Sequence, residues 1–297
     1  MSDLEIVDVT ARDGLQNESV RFSTTQKLEL IARAMASGAR RLEVASFVHP
    51  KYVPQMADAE AVVAGLPERE DCTFVGLVLN ARGLARALET RIDEIGTVAS
   101  ASDGFGMRNQ GQSRRETVAT CQALVGEALA AGRGANVTIS VAFGCPFDGE
   151  VELDTVRRVA GELAEANPRE IAVADTIGVA DPWAVEAMFT ALSEDLPGMP
   201  LRAHFHDTRG TGLANVAAAV RAGVRTIDVS IGGLGGCPFA PGATGNVAAE
   251  DVVWMLERAG FETGISVDRL LETSTWLEGV LKRPVAASLG RAGPFPR

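Results

Sequence analysis

Apolar positions along the chain follow two alternating periods. Short runs rich in branched side chains predict strands at Leu4–Val9, Leu42–Ala45, Phe74–Leu79, Glu94–Val98, Val137–Ala142, Ile171–Ala174, Leu201–Phe205 and Thr226–Ser230. Between them Thr24–Ser37, Thr117–Ala131, Val156–Ala166, Trp183–Leu192 and Leu213–Ala222 carry apolar residues at helical spacing and many alanines. Several of these helical patterns stop at glycine just before a strand is due, at Ser37-Gly38, Ala222-Gly223 and Ala259-Gly260, as expected for C-terminal caps. Eight strand–helix units predict an α/β fold, a (β/α)8 TIM barrel of parallel strands with the active site at their C-terminal ends. An open doubly wound sheet is the competing arrangement. No Pro/Ser-rich linker or charge block divides the sequence, so residues 1–297 read as a single domain. The tail after Lys282, with Pro284, Pro294 and Pro296, is expected to lie over the barrel or to fray.

Composition narrows the function classes. Of 297 residues 46% are hydrophobic and 23% charged, enough for a large core and unlike a disordered chain. The balance of 39 acidic against 28 basic residues gives −11, which argues against nucleic acid or an anionic membrane as partner. A few local arginines can still hold a phosphate or carboxylate. No apolar run approaches the ~20 residues that span a bilayer, and MSDLEIVDVT reads as a strand rather than a signal peptide. Cys72, Cys121, Cys145 and Cys237 are widely spread without C-x-x-C spacing. A cytoplasmic protein of a reducing compartment is expected.

The loops after the strands of a barrel share one face, and the unusual polar residues fall there. Arg12-Asp13-Gly14 follows the first strand, Glu43 and Ser46 accompany the second, and Asp175-Thr176 follows the sixth. His204, His206 and Asp207 end the seventh, and Gly232-Gly233-Leu234-Gly235-Gly236-Cys237-Pro238 follows the eighth. Alternate strand residues point the same way, so both imidazoles of His204-Phe205-His206 can face the mouth. On that spacing alone, a metal site and a hydrogen-bonded pair of core histidines are equally good readings. Asp13 adds a carboxylate from the first strand, and Asn246 can add an amide oxygen. A set of Asp13, His204, His206 and Asn246 has no thiolate and suits Mg²⁺ or Mn²⁺, with Zn²⁺ or Co²⁺ possible. His49, before Pro50, is read as a loop residue outside this set. Arg12 can neutralise charge developing beside the metal or simply form a salt bridge. Glu43 and Asp175 are read as carboxylates that touch no metal themselves and orient Arg12 and the histidines. The glycine run lacks the lysine and Ser/Thr of a P-loop. It is read as a lid carrying a reactive Cys237, while Cys72 and Cys121 look structural and Cys145 is open.

These segments resemble the hydroxymethylglutaryl-CoA lyase family, within the metal-dependent barrel lyases that include isopropylmalate and homocitrate synthases. The resemblance rests on Arg12 through Glu18, Glu43 through Val48, Pro54-Gln55-Met56, Asp175 through Val179 and His204 through Thr208. Its most diagnostic part is Gly233 through Ala240, continuing to Gly245-Asn246. The resemblance implies that Asp13, His204, His206 and Asn246 bind the divalent metal. It implies retro-Claisen cleavage of a 3-hydroxy-3-methylglutaryl thioester to acetyl-CoA and acetoacetate. His204, or alternatively Asp13, would take the hydroxyl proton, Arg12 would stabilise the enolate, and Cys237 would help protonate it. Expected partners are an acyl-CoA substrate and further copies of the chain in a homodimer or higher homo-oligomer. Ser19, the Ser102–Gly111 segment and Arg209 depart from the family pattern. A lyase for citramalyl-CoA or a longer-branched 3-hydroxyglutaryl-CoA is therefore the alternative. A Claisen-type synthase would need a substantial extra C-terminal region, for which the sequence beyond the barrel has no room.

Overall fold

A strand covered by helices on its outer face and filled by side chains on its inner face is buried throughout, and the strands here are built that way. The computed structural model describes residues 3–236 and 245–295. Strands β1 (Glu5–Asp8), β2 (Arg41–Ser46), β3 (Thr73–Leu77), β4 (Glu94–Ser100), β5 (Gly134–Ser140), β6 (Ile171–Asp175), β7 (Leu201–Phe205) and β8 (Thr226–Val229) pair in sequence order and close into a parallel barrel. Closure is made by β1 on β8, from Glu5 opposite Thr226 to Asp8 opposite Val229. Around it lie α1 (Thr24–Ala36), α2 (Ala59–Gly65), α3 (Ala81–Leu88), α4 (Asp103–Gln110), α5 (Arg114–Ala130), α6 (Leu153–Ala164), α7 (Pro182–Asp195) and α8 (Gly212–Arg221). The chain then adds α9 (Ala249–Arg258), α10 (Val267–Leu281) and the short α11 (Leu289–Ala292). Among the described residues no helix is long and apolar enough to cross a membrane.

The strand edges differ from the sequence pattern where polar bonds intervene. β5 stops at Ser140 because Val141 takes a φ of 52° and gives its N–H to the Thr176 hydroxyl, 2.8 Å away. Helices α2, α3 and α4, of 7, 8 and 8 residues, are too short to display a helical period and went unmarked. The tail lies over the barrel: Arg283 makes two bonds to Glu18, at 2.6 and 2.8 Å, and the Ala286 N–H donates to the Gly232 carbonyl at 2.9 Å.

Inside the barrel the filling is unusually ionic at the N-terminal ends of the strands. Bulky aliphatic layers are the common solution there. Here the buried Arg41 is bonded to Glu94 and lies 2.6 Å from Glu170, and Arg202 reaches Glu170 at 3.0 Å. At the opposite end a further buried carboxylate, Glu250 of α9, accepts the Gly232 N–H at 3.0 and 3.1 Å and the Ser274 hydroxyl of α10.

Burial pushes the Glu250 carboxyl up from 4.5 to about 7, its hydrogen bonds offsetting only part of the effect. The native protein therefore binds this proton more tightly than the unfolded chain does. The stability it contributes is lost as pH rises from 4.5 through about 7. A Glu250→Gln variant lacks the titration but keeps an acceptor for Gly232. Its melting temperature, measured over a pH series, should gain on the wild type as pH rises across that window and hold a constant offset above it. An offset independent of pH would show that the carboxyl titrates normally.

Candidate active site

The site begins where β1 ends. Residues Thr10–Gly14 form one π-helical turn, a distortion often found at functional positions. The turn is tied down by Asp8, which accepts the Thr10 N–H at 3.1 Å and the Thr10 hydroxyl at 2.8 Å. It projects Arg12 and Asp13 over the barrel mouth. Arg12 Nη1 lies 2.7 Å from Asp13 Oδ1, and its Nη2 lies 2.6 Å from Glu43 Oε2. Glu43 stands on β2 next to an irregularity in the β2–β3 register.

β7 supplies the histidines. Arg202 and His204 alternate with Ala203 and Phe205; the Phe205 ring packs outward, 6.5 Å from Phe189 of α7, so the other pair faces the lumen. The rings of His204 and His206 are 5.3 Å apart. His206 Nε2 lies 3.8 Å from Asp13 Oδ2, and Asn246 Nδ2 donates to the same oxygen at 2.7 Å. Asn246 arrives by backbone pairing: it bridges to His206, and the flanking Val247 N–H donates to the Phe205 carbonyl at 3.0 Å. Gly235 is required beside it, with a φ of 127° and no space for a Cβ, which would stand 2.6 Å from Asn246 Nδ2. Ligand atoms of Asp13, His204 and His206 all lie within 4.8 Å of one another.

The electrostatics follow from burial and pairing. Although burial opposes its ionisation, Asp13 is held well below the usual carboxylate range by Arg12 and the histidines. Burial alone would lower His204, but Asp228 and Asp13 raise it. Burial raises Glu43 despite its pairing with Arg12. The residues open onto a cavity of about 920 Å³, walled also by Gln16, Tyr52, Leu77, Val98, Arg108 and Thr138. His49 stands at its rim as an exposed loop residue whose Nδ1 accepts the Lys51 N–H at 3.2 Å.

The family described as HMGL-like matches residues 3–277. The chain is 39% identical over 280 residues to a hydroxymethylglutaryl-CoA lyase of Bacillus subtilis, covering 94% of each chain. The chain belongs to this family. It is accordingly an oxo-acid lyase, in a family that depends on metal. A second relative, the (R)-citramalyl-CoA lyase of Chloroflexus aurantiacus, is 38% identical over 304 residues, covering 99% of this chain and 96% of its own. Among solved structures, an HMG-CoA lyase of Acinetobacter baumannii in complex with coenzyme A and 3-methylmalate superposes with a TM-score of 0.94. It is 36% identical, with 99% and 98% of the two chains covered.

Asp175 differs from the orienting role that the sequence suggests. Asp175 does not hydrogen-bond Arg12 or either histidine. Its two oxygens accept the N–H groups of Val179 and Ala180, both at 2.9 Å, and its charge reaches His206 only through space. Arg209 donates to the carbonyls of Ile177 and Gly178, at 3.0 and 2.7 Å. Asp207 accepts the Gly212 N–H at the start of α8. Cys145 is buried, its sulfur receiving the N–H groups of Phe147 and Asp148, and burial pushes the Cys121 thiol up to about 12. Cys237 lies outside the described residues. One residue that sequence reasoning missed is Asp228, whose Oδ2 lies 2.9 Å from His204 Nδ1. Its signal was present: a carboxylate in mid-strand, where an apolar residue is the rule.

The Asp175 geometry makes a prediction about the β6–α7 loop. Asp175→Ala strands two backbone donors and should cost on the order of 1–3 kcal/mol in urea unfolding. An unchanged midpoint would mean that the loop is held by other contacts.

Proposed function

We propose that the protein is a divalent-metal-dependent lyase that cleaves (S)-3-hydroxy-3-methylglutaryl-CoA to acetyl-CoA and acetoacetate. The observation that carries this reading is the convergence of Asp13, His204 and His206 beside Arg12 at one cavity. The donor set fits a hard or borderline cation. With Asn246 Nδ2 occupied by Asp13 and by the Leu234 carbonyl, the buried Asn246 Oδ1 has no hydrogen-bond partner among the described residues, and neither has His206 Nδ1. Unpaired buried acceptors are costly, and a cation would relieve the cost. When bound, Mg²⁺ or Mn²⁺ supplies Lewis-acid polarisation of substrate oxygens.

The protein side of the reaction follows from the contacts. A base takes the C3 hydroxyl proton, the C2–C3 bond breaks as the C3 oxygen becomes a ketone, and the electron pair passes into the thioester as an enolate. His204 has given Nδ1 to Asp228 and has one ring nitrogen left, so it serves as ligand or as base but not both. Asp13 keeps lone pairs beyond its bonds to Arg12 and Asn246 and is the acceptor if His204 is a ligand. Arg12, fixed from both sides by Asp13 and Glu43, is placed to meet the enolate charge. Protonation of the enolate carbon is assigned to Cys237 on the sequence resemblance; a thiol of pKa ≈ 8.5 is a workable donor near neutral pH. The 38% identical citramalyl-CoA lyase favours one alternative, the same chemistry on a differently substituted 3-hydroxyacyl-CoA.

The test is incubation with hydroxymethylglutaryl-CoA, citramalyl-CoA and a longer-branched 3-hydroxyglutaryl-CoA, with mass detection of both products. A preference of more than tenfold in kcat/KM for either alternative moves the substrate assignment and leaves the lyase chemistry standing; no cleavage of any overturns it. Chelation should abolish turnover and Mn²⁺ or Mg²⁺ restore it, and full activity of metal-free protein would refute the metal site. Arg12→Met should bind metal and melt like the wild type while kcat falls by ~10²–10³. Near-normal kcat would leave Arg12 as a structural salt bridge.

A further inference from the structure

The ion network at the N-terminal end of the barrel continues upward until it touches the candidate metal site, through a residue with no role in the scheme above. Arg202 lies two positions before His204 on β7, so both enter the lumen one layer apart. Its fork is spread over four partners: Nη1 is 3.0 Å from Glu170, Nη2 donates to Asn136 Oδ1 at 3.0 Å and to Thr138 Oγ1 at 3.5 Å, and Nε is 3.4 Å from Asp228 Oδ1. The other oxygen of Asp228 is the one at His204 Nδ1, 2.9 Å away. Among the described residues neither Arg202 Nε nor Asp228 Oδ1 has a hydrogen-bond partner, so the 3.4 Å ionic contact is what each has. All three side chains are buried, and Arg202 also forms part of the cavity wall.

Stability is a poor reason for this arrangement. Burying an ion pair costs desolvation of both charges, and apolar residues of similar volume often do as well or better. Geometry is a better reason. An imidazole facing a cation must present one chosen nitrogen at a chosen angle, and the group on its other nitrogen sets both. Asp228 can rotate about its own side chain unless its second oxygen is held, and the rigid guanidinium, itself pinned by Glu170 and Asn136, holds it.

We propose that Arg202 is a positioning residue of the metal site, acting through Asp228 to fix the ring of His204. The proposal rests on the metal-site reading and extends it to a residue that touches neither cation nor substrate in that scheme.

The experiment is calorimetric titration of Mn²⁺ into metal-free wild type, Arg202→Met, Asp228→Asn and the double variant, with thermal melts of each without metal. Wild type that binds no Mn²⁺ refutes the metal-site reading before any variant is compared. With wild type binding, Arg202→Met and Asp228→Asn should each weaken Mn²⁺ by about 10–100-fold. A lower melting temperature with unchanged affinity in Arg202→Met would show a purely structural role and overturn the proposal. Where Arg202→Met alone does not fold, because it leaves Asp228 Oδ1 without a partner, the double variant removes both charges and decides the matter. Arg202 acting only through Asp228 predicts an affinity within about twofold of Asp228→Asn alone. A further tenfold loss in the double variant would mean that Arg202 acts by another route, and the proposal would fall.

Discussion

The pairing of β1 with β8 is the contact on which the site depends. It joins segments 221 residues apart, as Thr226 and Glu5 show, and nothing local in either strand requires it. Once it forms, the π-helical turn after β1 lies against the ends of β7 and β8, and Asp13 meets His206 and Asn246. Register matters as much as closure. A slip of one residue on β7 would turn His204 and Arg202 toward the helices and Ala203 and Phe205 into the lumen. The two phenylalanine contacts of Phe205, to Phe189 and Phe143, oppose that slip from outside.

From inside, the ionic filling opposes it too. Arg41 on β2, Glu94 on β4, Glu170 just before β6 and Arg202 on β7 are matched to one another, and any slip would leave one of them unpaired in a dry interior. Such a pair adds little to stability when intact, but removing one partner costs roughly 3–5 kcal/mol. The penalty falls on wrong arrangements rather than rewarding the right one. An ionic lumen is thus suited to a barrel whose upper rim must hold a fixed arrangement of side chains.

Much of this was legible in the sequence, for physical reasons that can be named. Eight apolar runs separated by helical periods encode the barrel, because parallel strands buried on both faces must be apolar and must be joined by helices. Asp13, His204 and His206 were legible because charged or ligating residues at strand ends have no packing reason to be there. Asn246 was harder, since its place depends on the backbone bridge to His206, which leaves no mark in the pattern. Asp228 and Arg202 went unread because each sits singly within an otherwise apolar strand and acquires meaning only beside the other and His204. Asp175 is the opposite case: it ends β6 at the mouth, yet it holds backbone groups of the β6–α7 loop. A polar residue at a strand end can serve the loop as readily as the chemistry, and sequence spacing does not distinguish the two.

The tail after α10 gives the molecule a sidedness of practical weight. Its Ala286 N–H is bonded to the carbonyl of Gly232, where the glycine run begins, and Arg283 grips Glu18 just past the turn that bears Arg12 and Asp13. What looks in sequence like a trailing appendage is therefore structurally part of the reactive face. A reporter, affinity handle or immobilisation linker joined there would pull on the rim of the cavity. The same attachment made at the exposed Asp3, which pairs with Glu262, would meet the barrel at its far end and leave the mouth open to substrate.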